Sequence, residues 1–187
     1  MQISGESVIH SIFNLVIDTV ASILAGLLLI RFWMQAVHVR PPFSLGQFIF
    51  RLTDWLVLPL RKVLPGVGGY DWASLSGACL VLLISIAVQL GVRSSFVIST
   101  WLMLSLLALI HAVAYGLIGL IILEVILSWV NPNAPIAPIV RALTDPLLRP
   151  FRRLVPSIGG IDLSPIFAFL ALRILVFVAE SLVYGVY

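Results

Sequence analysis

Charge, cysteine and histidine are all scarce in this chain. Of its 187 residues, 10% are charged and 61% are hydrophobic, and the mean hydropathy is +1.16. Soluble domains carry about 25% charged residues, so a water-soluble fold of this length would lack the polar side chains to cover its surface. The single cysteine, Cys79, excludes an intramolecular disulfide and sits inside an apolar run. His10, His38 and His111 are far apart, and neither His-Glu-x-x-His nor paired cysteines occur. No metal, no haem-type cofactor and no catalytic residue is therefore expected. The glycine-rich stretch Gly66-Val67-Gly68-Gly69 lacks a following Lys-Ser/Thr pair, which excludes a phosphate loop. No Lys or Arg precedes Arg31, and Glu6 stands where a secretory signal would carry positive charge. The first apolar run is thus expected to remain in the mature protein.

What is present in abundance is long apolar sequence. Spans are expected over 8–36, 72–92 and 162–187, each near or above the ~18 residues that mark a membrane-crossing helix. The run 96–130 is ambiguous. As one helix it would be roughly 52 Å long against a hydrocarbon core of about 30 Å, so it is either one tilted helix or two segments broken near His111 to Gly119.

Between the spans a motif is written twice. Leu52-Thr53-Asp54-Trp55-Leu56-Val57-Leu58-Pro59-Leu60-Arg61-Lys62-Val63-Leu64-Pro65-Gly66-Val67-Gly68-Gly69-Tyr70-Asp71 aligns without gaps on residues Leu143 to Asp162, with ten of twenty positions identical. The chain therefore divides into repeats 1–92 and 93–187. Eight of the eleven basic residues lie in the two polar segments: Arg40, Arg51, Arg61 and Lys62, then Arg141, Arg149, Arg152 and Arg153. The positive-inside rule puts both segments in the cytoplasm. Two segments on one side require an even number of crossings between them. The expected fold is all-α, with four transmembrane helices as two tandem two-span hairpins and both termini across the membrane from the basic segments. The sequence pI near 9.5 then reflects membrane orientation, and no nucleic-acid binding is expected.

Each polar segment reads as a kinked amphipathic helix at the membrane interface. Phe48, Leu52, Trp55 and Leu56 share one face in the first copy. Ile139, Leu143 and Leu147 do so in the second, where Pro146 and Pro150 are expected to break the helix. Arg61, Lys62, Arg149, Arg152 and Arg153 are candidates for contact with lipid headgroups or a protein partner, although the same charges can act only as orientation signals. Gly68-Gly69 and Gly159-Gly160 permit a tight reversal into the bilayer. Asp71 and Asp162 follow as caps for the next span, with Ser164-Pro165 a second capping signal. Gly26, Gly77, Gly116 and Gly119 are read as helix-contact points.

Residues 145 to 165, Asp-Pro-Leu-Leu-Arg-Pro-Phe-Arg-Arg-Leu-Val-Pro-Ser-Ile-Gly-Gly-Ile-Asp-Leu-Ser-Pro, closely resemble the signature of the YggT family of small bacterial and plastid membrane proteins, also called YlmG-like. Ile126-Leu127-Ser128-Trp129 resembles the family's ending of the preceding span, and Leu29-Ile30-Arg31-Phe32-Trp33-Met34-Gln35 resembles the matching stretch of the first copy. The first copy departs from the signature where Trp55 and Leu58 stand for Pro146 and Arg149, which makes the second copy the better candidate for a partner site. The resemblance implies a bacterial inner-membrane protein linked to osmotic-stress tolerance and division gene clusters, with plastid relatives linked to assembly. It implies no reaction.

Five ionisable residues fall inside apolar runs: Asp18, Arg31, Glu124, Arg173 and Glu180. Each costs about 2.5 to 3.5 kcal/mol on insertion scales unless partnered. Matching positions in the two repeats predict that Arg31 pairs with Glu124. Depth estimates that place Arg173 near mid-membrane and Glu180 in the outer half of the last span predict that Arg173 meets Asp18 or Glu180 in the bundle interior. Such pairs serve as structural links or as a charged pathway. The expected function is a non-enzymatic scaffold, assembly or stress-tolerance factor whose partners are membrane lipids and a protein or second copy. The alternatives are a small ion or osmolyte channel and a protein that handles a cofactor or lipid.

Overall fold

The computed structural model describes residues 5–92, 96–155 and 162–185. Among them, six helices make the fold: α1 (Gly5–Ala36), α2 (Phe43–Val63), α3 (Trp72–Val92), α4 (Ile98–Val130), α5 (Ala137–Leu154) and α6 (Ser164–Tyr184). Four of them, α1, α3, α4 and α6, are long and apolar enough to cross a membrane. The ambiguous run is a single unbroken helix, α4, of 33 residues. No glycine or proline between Ile98 and Val130 forces a break, since Gly116 and Gly119 stay helical. At 1.5 Å per residue it is about 50 Å long and must tilt or protrude.

The spans turn their large apolar side chains outward. Leu15, Val20, Ile84, Leu106, Phe177 and Leu182 are all exposed, as expected where lipid and not water is the solvent. Small residues mediate the helix contacts: Ala25, Ala73, Ala78 and Ala168 are fully buried. Gly77 fits this role, because a Cβ there would sit 3.5 Å from Leu56 and Leu60. Gly26, Gly116 and Gly119 do not, because a Cβ at each would meet open space out to 4 Å. Gly26 and Gly116 instead line an apolar cavity of about 190 Å³ between α1, α3 and α4.

The two remaining helices, α2 and α5, lie against the same end of the bundle. One core cluster joins α1, α2 and α3 through Leu28, Val57 and Leu82; a second joins α4, α5 and α6 through Ile121, Leu148 and Leu172. A third, of Met34, Ile49 and Leu143, ties α1, α2 and α5 together. Trp33 on α1 reinforces it by donating its indole N–H to the Leu143 carbonyl at 2.8 Å.

The expected break at proline does not occur. α2 runs through Pro59, and α5 runs through Pro146 and Pro150. All three prolines face outward, so the carbonyls that lose a partner can be solvated, while Val57 and Leu148 anchor the opposite face at 0% exposure. The buried stripe of α2 is Gly46, Ile49, Thr53 and Val57. Phe48, Leu52 and Trp55 form an exposed apolar face beside it.

Candidate functional site

The polar groups of the protein converge where α2 and α5 meet the ends of the spans. In the first half the centre is Arg31, a residue of α1 with only 6% of its side chain exposed. Its Nη1 donates to Thr53 Oγ1 at 2.8 Å and to Asp54 Oδ1 at 2.7 Å. Its Nε faces Asp71 Oδ2 at 3.5 Å, and its guanidinium carbon lies 4.7 Å from the centre of the Phe50 ring. Arg61, near the end of α2, reaches Asp71 with two donors, Nη2 to Oδ2 at 2.6 Å and Nε to Oδ1 at 3.3 Å. Asp71 also accepts from the Ser74 hydroxyl at 2.7 Å and faces the Ser74 N–H at 3.4 Å, at the start of α3.

The second half repeats the plan with one sign inverted. Glu124 on α4 occupies the span position, and the hub is Arg152 on α5. Arg152 donates to Asp162 at 2.8 Å, to Glu124 at 3.0 Å and to Asp145 at 3.1 Å. Arg149 takes the other Asp145 oxygen at 2.7 Å. Thr144 donates its hydroxyl to Glu124. Asp162 accepts the Ser164 N–H at 2.9 Å. The threonine of the repeated Leu-Thr-Asp motif therefore meets the span charge in both halves. Its hydroxyl accepts from an arginine in one and donates to a carboxylate in the other, which only a group with both capacities can do.

Burial pushes Asp71 upward, but the hydrogen bonds from Arg61 and Ser74 and the Arg61 charge outweigh it, so its carboxyl titrates below the ordinary range. Asp162 is lowered in the same way, burial being overcome by Ser164 and Arg152. Arg152 is raised, because its carboxylate partners outweigh the burial that opposes its charge.

Two expected pairings are corrected. Arg31 does not pair with Glu124; each is engaged by the polar helix of its own half. Arg173 meets neither Asp18 nor Glu180. It lies exposed on α6 and donates to the Tyr115 hydroxyl at 3.0 Å, Glu180 pairs with His111 at 3.0 Å, and Asp18 is exposed with no ion pair among the described residues. Arg31 and Glu124 stand at matching points of the two repeats, but each side chain is turned to the polar helix of its own half. Lys62 and Arg153 are exposed and form no ion pair among the described residues. Gly68 and Gly69 adopt φ of 68° and 83°, the left-handed conformation a reversal needs. Gly159 and Gly160 lie outside the described residues.

Thr53, Asp54, Thr144 and Asp145 are members of the two networks that the sequence pattern did not single out, although the identical Leu-Thr-Asp triplet was a usable signal. A cavity of about 670 Å³ in the first half had no signal of that kind; its polar lining is Arg31, Gln35, His38, Arg40, Asp54 and Arg61. Gln35 closes one wall by donating to the Gly69 carbonyl at 3.1 Å.

The family model described as CCB3/YggT matches residues 10–92 and again residues 103–183. An uncharacterized protein of Pseudomonas aeruginosa is 41% identical over 165 residues, covering 86% of this chain and 84% of that protein. The uncharacterized protein YggT of Escherichia coli K12 is 37% identical over 162 residues, covering 85% and 84%. The chloroplastic YlmG homolog protein 2 of Arabidopsis thaliana is 41% identical over 70 residues, covering 33% of this chain and 28% of that protein. No solved structure matches the chain.

Proposed function

We propose, for a chain that belongs to the CCB3/YggT family, a non-enzymatic role in the bacterial inner membrane. The protein acts as a scaffold or assembly factor that supports osmotic-stress tolerance. It works through the basic helices α2 and α5, which face the cytoplasm and engage anionic headgroups, a protein partner or a second copy. One observation carries this reading. Arg61 and Arg152 are tied down by Asp71 and Asp162, while Lys62 and Arg153 beside them remain exposed. A rigid frame thus presents loose cations at the interface, where each basic residue near an anionic surface contributes about 1 kcal/mol of attraction.

The test follows from that division. Lys62→Glu combined with Arg153→Glu should leave membrane insertion and protein level intact and abolish growth under hyperosmotic challenge. Unchanged growth with both substitutions would overturn the reading. Charge reversal at Arg152 is the wrong test, because it would set a negative charge against Glu124, Asp145 and Asp162 and disturb the frame itself.

A further inference from the structure

We propose that the cavity at the end of α1 is a binding site for a phosphate group, held by Arg31, Arg40, Arg61 and His38. The inference rests on the reading that this end of the bundle faces the cytoplasmic headgroups, and it deepens that reading by naming a ligand class and one site.

The cavity is an open groove of about 670 Å³, a volume within the range of small-ligand sites. Three guanidiniums line it against one carboxylate, Asp54, with Asp71 behind. Two of the three are held in place. Thr53, Asp54 and the Phe50 face fix Arg31, and Asp71 fixes Arg61. Fixed planar donors lose little freedom on meeting an anion. Arg40 is exposed and has no ion pair among the described residues, so it is the cation left for a ligand. Guanidiniums from α1, α2 and the loop between them, lining one cavity, suit a tetrahedral oxyanion better than a planar carboxylate, which one arginine fork can satisfy.

His38 supplies an independent observation. α1 ends in a motif where the Val39 N–H bonds the Met34 carbonyl at 2.9 Å and the His38 N–H bonds the Gln35 carbonyl at 3.0 Å. The residue at the position of His38 adopts left-handed backbone in this motif and is usually glycine. His38 holds φ of 60° there, as the one non-glycine residue with positive φ among those described. Its imidazole lines the cavity, and its Nε2 lies 3.8 Å from where a Cβ on Gly69 would stand. Histidine is among the few non-glycine residues that tolerate this conformation, and here the turn places it on the cavity wall.

The second half does not offer the same site. Glu124 brings negative charge where Arg31 brings positive, Arg152 is divided among three carboxylates, and Arg149 is taken by Asp145.

The phosphate can belong to an anionic lipid or be free, and two arms separate these sources. The full chain, purified in neutral detergent, is mixed with phosphatidylglycerol or with diacylglycerol, which has no phosphate, and retention is read by native mass spectrometry. In parallel, inorganic phosphate is titrated against thermal unfolding. Selective retention of phosphatidylglycerol identifies a lipid ligand; a rise in Tm with inorganic phosphate alone identifies a free one. Either supports the site only if Arg40→Gln and His38→Gly each weaken the response about tenfold, the scale of one lost charge-assisted contact. Arg141→Gln, in the second half, should leave it unchanged. His38→Gly relaxes the backbone, so its Tm without ligand should hold or rise while binding falls, a combination that a purely structural histidine would not produce. The proposal is overturned if neither probe is selected, or if the variants bind as the parent does. Absence of phosphate binding by the parent chain, with stress tolerance still lost on Lys62→Glu plus Arg153→Glu, would sink this site and leave the functional reading standing.

Discussion

Arg61 clamps Asp71 across the turn between α2 and α3, with two donors at 2.6 and 3.3 Å on a carboxylate that is 2% exposed. Ten residues separate them, as ten separate Arg152 and Asp162 at 2.8 Å in the other half. The repeated motif thus encodes a link that fastens a basic helix to the span that follows it.

The two links differ in burial, and their removal should differ in cost. Asp71→Ala leaves Arg31 and Arg61 facing a void and should destabilise by about 3 kcal/mol, in the range for breaking a buried pair. Asp162, 42% exposed, should cost about 1 kcal/mol when replaced by alanine, the size of a lost cap. Denaturation of both variants in detergent, read by tryptophan fluorescence, checks the order; equal losses would contradict it.

Acid should weaken the fold through the same two carboxylates. Asp71 and Asp162 titrate lower when folded than when unfolded. Their stabilisation is therefore fully present above the unfolded value of about 3.9 and fades as pH drops through the lowered folded values. The melting temperature should hold steady above about pH 5 and decline below about pH 4. Asp71→Asn should flatten that decline, which a pH series of thermal unfolding curves would reveal.

Thr53→Val and Thr144→Val should each cost about 1 to 2 kcal/mol, since each leaves a buried charged partner short of a bond. The corresponding serine variants should recover most of the loss. Failure of serine to rescue would mean that methyl packing, and not the hydroxyl, is what the position supplies.

Arg173 predicts the opposite sign. It is exposed on a span, where it donates to Tyr115. Arg173→Leu should ease insertion by about 2.5 kcal/mol or more on insertion scales. A glycosylation-type insertion assay on α6 would show this, and a fall in insertion would mean that the guanidinium finds a strong partner in the membrane.

The helices themselves were legible because hydrophobic length is a one-dimensional property. Spans at 8–36 and 72–92 follow from runs of apolar residues that water would not tolerate uncovered. The turn at Gly68-Gly69 and the aspartate after it were legible because they depend on local backbone and nearby N–H groups. The continuity of α4 was not legible. A 33-residue apolar run has no internal stop, and only packing against α3, α5 and α6 shows that none is used.

Sequence alone determined the family, the number of apolar helices and the repeated basic motif, since all of these are read along the chain. Tertiary structure decided which charges meet. Arg31 and Glu124 occupy matching points of the two repeats, yet each turns toward its own polar helix, because pairing depends on the rotation of a helix and on its neighbours, and rise per residue says nothing about either. The cavity beside His38 belongs to the same category: its walls come from α1, the loop after it, α2 and the turn before α3, and no spacing along the chain records that they line a common space.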